Sequence, residues 1–235
     1  MLTESDLRAK RASAIAFLER TREPHALLFL DILHRRFGIG EFADSLARYD
    51  RVLAERPAQA PWLRVFRRIA DANNPLQPDD WDHVTLPKDR ILASALYCDR
   101  LGLPPTFAEV LEKAVSQGGY ALTHALLAWT WIQENGCEPA LPDGFVDRMY
   151  RAVAANIDAD PTTIDDLKLE AAAFLCLARQ SALVNLGFVW RVIAIQNDDG
   201  GWGRPDEGAG SPDESSWHST ILALMLLLHV EFPAS

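Results

Sequence analysis

Three ionisable side chains stand near the starts of otherwise apolar helical runs. They are His124 in Tyr120-Ala-Leu-Thr-His124, Glu170 in Asp165-Asp166-Leu-Lys-Leu-Glu170, and His218 in Ser216-Trp217-His218-Ser-Thr220. Burying such a group unpaired is costly, so the three are expected to meet one another, a metal ion or a polar ligand in one cavity. A carboxylate with two imidazoles is a workable ligand set for a divalent metal, and equally an acid/base set tuned by burial. Helix N-termini carry partial positive charge, which favours Glu170 as a carboxylate and keeps the imidazoles neutral, the form that binds metal. Tyr120, Asp166 and Trp217 occupy the same three helix starts and are expected on the ligand side. The plainer alternative makes His124 and His218 satisfied core histidines and Trp217 ordinary core, since three separate helices are not a local metal motif.

The elements that must position these residues are all helical. The segments 120–134, 163–179 and 215–229 are apolar all round, as enclosed helices are, whereas 106–117 and 143–156 carry a single apolar stripe. Earlier helices are expected from Ser5 or Asp6 to Arg22, over 26–37 with Gly38 as its stop, over 41–55, and from Pro61. Thr106 with Glu109 reads as a capping box, and Thr162 or Thr163 as the cap of the helix that holds Asp165 and Asp166. The enclosed helices centre near Leu126, Ala172 and Ala223, 46 and 51 residues apart, which suits a repeat of helical hairpins. The expected fold is one all-α domain over 1–235, an α/α toroid, with an open α-solenoid as the alternative. Residues 1–80 carry no motif that fixes their place.

Between two of these helices lies Gln196-Asn-Asp-Asp199-Gly200-Gly201-Trp202-Gly203. Asp199-Gly200-Gly201 suits positive φ, Gln196 can bond the turn backbone, and Trp202 can fold back between the helices as a buried plug. This Gln-x-x-Asp-Gly-Gly-Trp-Gly stretch, with Ser216-Trp217-His218-Ser219-Thr220 and the apolar run after it, resembles the repeat of the terpene cyclase and protein prenyltransferase superfamily. The resemblance covers residues 187–229 and implies an α/α toroid whose inner helices surround a cavity. It implies no particular chemistry. The Asp-x-Asp-Asp acid of squalene-type cyclases has no counterpart in Asp158-Ala-Asp160 or Asp165-Asp166. Where prenyltransferases carry an Asp-x-Cys zinc pair, Asp213-Glu214-Ser215 offers serine, and Gly136-Cys137-Glu138-Pro139 is not a thioester sequence.

Composition narrows the classes further. With 49% hydrophobic and 24% charged residues the chain can bury a large core. A net charge of −10 argues against nucleic acid as a partner, although residues 1–70 hold 13 Lys/Arg against 9 Asp/Glu and offer basic helices to an acidic protein partner. The odd cysteine count (Cys98, Cys137, Cys176) without paired spacing argues against a disulfide scaffold and suits a reducing compartment. No apolar run reaches the length of a membrane span, and the start of the chain lacks a signal-peptide core, so a cytoplasmic location is expected. No phosphate-cradling loop, nucleophile elbow or Cys-x-x-Cys appears. The expected function is a cyclase-like toroid that binds or transforms a largely apolar small molecule in a central cavity. The alternative is a non-catalytic binding or scaffold protein on the same fold.

Overall fold

A computed structural model describes residues 3–158, 160, 163–203 and 215–232. Among these residues the protein is all-α, with one isolated bridge between Trp202 and Ser216 in place of any sheet. The helices are α1 (Glu4–Leu18), α2 (Pro24–Phe37), α3 (Ser45–Glu55), α4 (Ala60–Phe66), α5 (Pro87–Leu96) and α6 (Cys98–Leu101). They continue as α7 (Phe107–Gln117), α8 (Gly119–Glu134), α9 (Phe145–Asp158), α10 (Asp166–Leu177), α11 (Leu186–Ala194) and α12 (Trp217–Glu231). The middle residue of Asp158-Ala-Asp160, the candidate cap Thr162 and the zinc-pair comparison at Asp213-Glu214 fall outside the described residues.

The starts of α1, α10, α11 and α12 follow side chains that accept from the first free N–H groups. Thr3, rather than Ser5 or Asp6, caps α1 and forms a reciprocal box with Asp6. Asp165, rather than a threonine, caps α10 by accepting from the Lys168 N–H. Thr106 makes no side-chain cap bond, so the expected box at α7 is absent. Gly38 ends α2 at φ 69° as anticipated. At the end of α8, Gly136 takes φ 67°, and the Cys137 N–H reaches back to the Ile132 carbonyl at 3.0 Å.

Packing separates enclosed helices from outer ones. Every residue from 168 to 177 in α10 and from 219 to 228 in α12 is buried, and α8 is buried on most of its surface. The outer α7, α9 and α11 each lay one apolar stripe on that layer. Contacts run from α5 to α8, to α10, to α12, and from α12 back to α2, with α1 lying along α12 and α4 joining α3 to α5. Residues 3–80 thus belong to the same packed body: α1 and α2 supply Leu7, Ala14, Leu18, Leu27, Leu28 and Leu30 to its core.

The turn after α11 locks that meeting of first and last helices. Trp202 is 1% exposed, its indole N–H donates to the Val192 carbonyl at 2.6 Å, and its main-chain N–H donates to Thr220 Oγ1 at 2.9 Å. Asp199 accepts from the Gly201 N–H and from the Ser215 hydroxyl and N–H. Gln196 Nε2 donates to the Gly200 carbonyl at 2.7 Å and to the Lys10 carbonyl of α1 at 2.8 Å. Gly200 stands at φ +90°, where a Cβ would also meet the Ser13 carbonyl oxygen at 2.5 Å. Gly201 does not take positive φ; it is glycine because a Cβ there would lie 2.3 Å from the Ser215 Cβ.

One expectation is corrected, and another loses part of its basis. Cys98 and Cys137 form a disulfide and only Cys176 is free, so unpaired cysteines no longer argue for a reducing compartment. The pairing escapes sequence spacing because packing of α5 on α8 brings together positions 39 residues apart. The basic N-terminal helices are also largely neutralised in place. Arg8, Arg11, Arg22, Arg35, Arg48, Arg51, Arg64, Arg67 and Arg68 all face carboxylates within 4.0 Å. No helix among the described residues is long and apolar enough to cross a membrane.

Candidate functional site

The starts of α8, α10 and α12 lie side by side and deliver their polar residues to one point. Asp166 is the first residue of α10, Glu170 follows one turn later, and His218 is the second residue of α12, behind its Ser216 cap. Ligand atoms of Asp166, Glu170 and His218 all lie within 4.8 Å of one another.

Glu170 is the centre of the group. It is 2% exposed, with His124 Nδ1 3.4 Å from Oε1 and His218 Nε2 3.6 Å from Oε2, while Thr123 donates its hydroxyl to Oε1. Both histidines named from sequence therefore reach the carboxylate named with them. The His124 ring also bonds the Tyr120 carbonyl through Nδ1 at 2.8 Å, which assigns the proton to that nitrogen.

Asp166 holds the other side of His218. Its carboxylate lies 2.9 and 3.0 Å from His218 Nδ1 and accepts from the Ser219 hydroxyl at 2.9 Å and the Tyr120 hydroxyl at 3.1 Å. Burial pushes the Asp166 carboxyl up, but the His218 hydrogen bond and charge, with Ser219 and Tyr120, outweigh it and leave the group below its ordinary range. In its neutral form, with Nδ1–H given to Asp166, His218 would turn the lone pair of Nε2 to the Glu170 side, where a cation could bind. This carboxylate–imidazole arrangement fixes tautomer and ring orientation, as partners of metal-bound histidines do. Trp217 closes the edge, its ring 5.3 Å from that of His218 in a T-shaped contact.

His25 and Asp89 were not anticipated. His25 sits one residue into α2, beside Trp62 at 4.8 Å, and the Trp62 indole N–H donates to Asp89 in the first turn of α5. Desolvation pushes the His25 pKa down, Lys88 and His218 add to that, and Asp89 opposes it. The polar end of the helix layer thus extends from α8, α10 and α12 to α2 and α5. A histidine directly after the Pro24 helix start was the available signal, but nothing local linked it to residues more than 100 positions away.

The donor set fits a divalent cation. Glu170 Oε2 and His218 Nε2 lie 3.6 Å apart, spaced as neighbouring ligands of one metal are at metal–ligand distances of about 2.0–2.2 Å. Asp166 already receives three donors and is better suited to orient His218 than to bind. The interior behind the cluster is closed, because α10 and α12 bury every side of their middle turns. A ligand therefore approaches from the helix starts. No family model, curated protein or solved structure matches the chain.

Proposed function

We infer that the protein is an α/α toroid whose inner-helix starts carry a divalent-cation centre, with Glu170 and His218 as ligands and His124 beside them. Contacts of α12 with both α1 and α2 support a ring over an open α-solenoid, whose ends stay apart. The observation that carries the centre is a buried carboxylate between two imidazoles, one of them held in a fixed tautomer by a second carboxylate. A cation there would act as a Lewis acid on a polar group of a small molecule. Asp166 orients His218, Tyr120 and Ser219 hold Asp166, and Trp217 offers an apolar edge to the rest of the substrate. The apolar part of that substrate rests at the mouth rather than deep in the ring, where the helices are packed together.

Calorimetric titration with Zn²⁺ and Mn²⁺ tests this. Saturable binding of at least one ion tighter than about 100 µM is expected. Glu170→Gln and His218→Ala abolish it with unchanged helical circular dichroism, and Asp166→Asn weakens it about 10–100-fold as loss of an orienting partner does. Binding of neither ion, or equal binding by the wild type and both ligand variants, removes the metal reading.

A further inference from the structure

The C-terminal ends of α8 and α10, with residues of α2, of α5 and of 68–72, surround a cavity of ≈ 380 Å³, at the other end of α10 from Asp166. Leu96, Leu127 and Leu177 form an apolar part of its wall, and Arg35, Arg36 and Arg68 a cationic part, with Glu134 as the acid among them. Helix C-termini present carbonyls and partial negative charge, and alone would repel an anion. The arginines reverse that sign. Some of their capacity caps the helices: Arg35 donates to Asp31 and to the Ile69 carbonyl, and Arg36 to the Leu177 carbonyl.

Capping does not account for Arg68. Its side chain is 3% exposed and its Nη2 contacts both oxygens of Asp99, yet Nε and Nη1 are buried with no acceptor among the described residues. Buried donors left this way are uncommon and costly. The cations are also crowded: desolvation pushes the Arg36 pKa down, and the charge of Arg179 adds to it. Desolvation pushes the Glu134 carboxyl up, and Arg35, Arg36 and Arg179 pull it back down.

We propose that this cavity binds a small organic carboxylate, its apolar body against Leu96, Leu127 and Leu177 and its charge in the field of Arg35, Arg36 and Arg68. The volume lies within the range of small-molecule pockets, and a low-dielectric wall strengthens the attraction of guanidinium for carboxylate. The proposal does not depend on the cation centre.

Phenylacetate is the probe, followed through the indole NMR signal of Trp131, which lines the cavity. Saturable shifts are expected, with the neutral isostere 2-phenylethanol binding at least about tenfold more weakly. Glu134→Gln removes a like charge and should tighten binding about threefold, while Arg35→Gln should weaken it about fivefold. His218→Ala should leave it unchanged, which separates this site from the other. Equal binding of 2-phenylethanol, absence of a saturable shift, or no gain in Glu134→Gln overturns the proposal. Tighter binding of phenyl phosphate than of phenylacetate overturns the carboxylate assignment. Should Arg35→Gln misfold, the sign of the Glu134→Gln effect still decides.

Discussion

Trp202→Ala is the sharpest test of how α11 and α12 are joined. A tryptophan at 1% exposure withdraws about 150–250 Å² from water, worth roughly 4–6 kcal/mol at 25 cal/mol per Å² before subtracting what alanine keeps. Truncation also leaves the Val192 carbonyl without its 2.6 Å donor, a further cost of about 1 kcal/mol. Large aromatic deletions in cores cost about 3–5 kcal/mol, so a loss near 4 kcal/mol is expected, a large share of the roughly 5–15 kcal/mol that holds a domain. Trp202→Phe keeps most of the ring and loses the N–H, and should cost about 1–2 kcal/mol. Urea unfolding of the three proteins measures this as a fall in midpoint at constant slope. A loss below about 2 kcal/mol for the alanine variant, or a phenylalanine variant equally damaged, would refute the claim that this indole pins α11 to α12.

Other substitutions probe neighbouring parts of the argument. Gly200→Ala should destabilise by about 2 kcal/mol or more, because its φ of +90° and the Ser13 carbonyl at 2.5 Å both oppose a Cβ; a neutral result in urea would contradict the turn geometry. Asp166 has a depressed folded pKa, so its stabilising effect is complete above the ordinary carboxylate range of about 4 and is lost as pH falls through the lower folded value. Asp166→Asn should therefore be destabilised at pH 7 and converge with wild type near pH 2, and a gap independent of pH would count against the His218 pairing. Desolvation lowers the His229 pKa, with Arg36 adding and the Met225 bond opposing, so the unfolded chain takes up this proton first as pH falls below about 6.5. His229→Gln should flatten the stability loss between about pH 6.5 and 5, measured as urea midpoints. Burial pushes the Cys176 thiol up to about 12, so native protein should give no reaction with Ellman's reagent at pH 8, one thiol after denaturation, and three after reduction.

The sequence by itself determined the helical class, the enclosed character of α8, α10 and α12, and the turn at 196–203. These are local properties: apolar residues on every side of a helix, and a tryptophan beside an acidic Gly-Gly pair. It also placed His124, Glu170 and His218 at helix starts, since position along a helix can be read from its ends. Only the tertiary structure decided that Glu170 lies between the two imidazoles and that Asp166 holds His218, because those distances depend on the register in which α8, α10 and α12 pack. The same dependence hid the Cys98–Cys137 bond, the pairing of the N-terminal arginines and the share of His25 in the polar end. Each is a meeting of residues far apart in the chain. A side chain's type and its place on its own helix say what it can do, whereas its partner is chosen by how helices pack against one another.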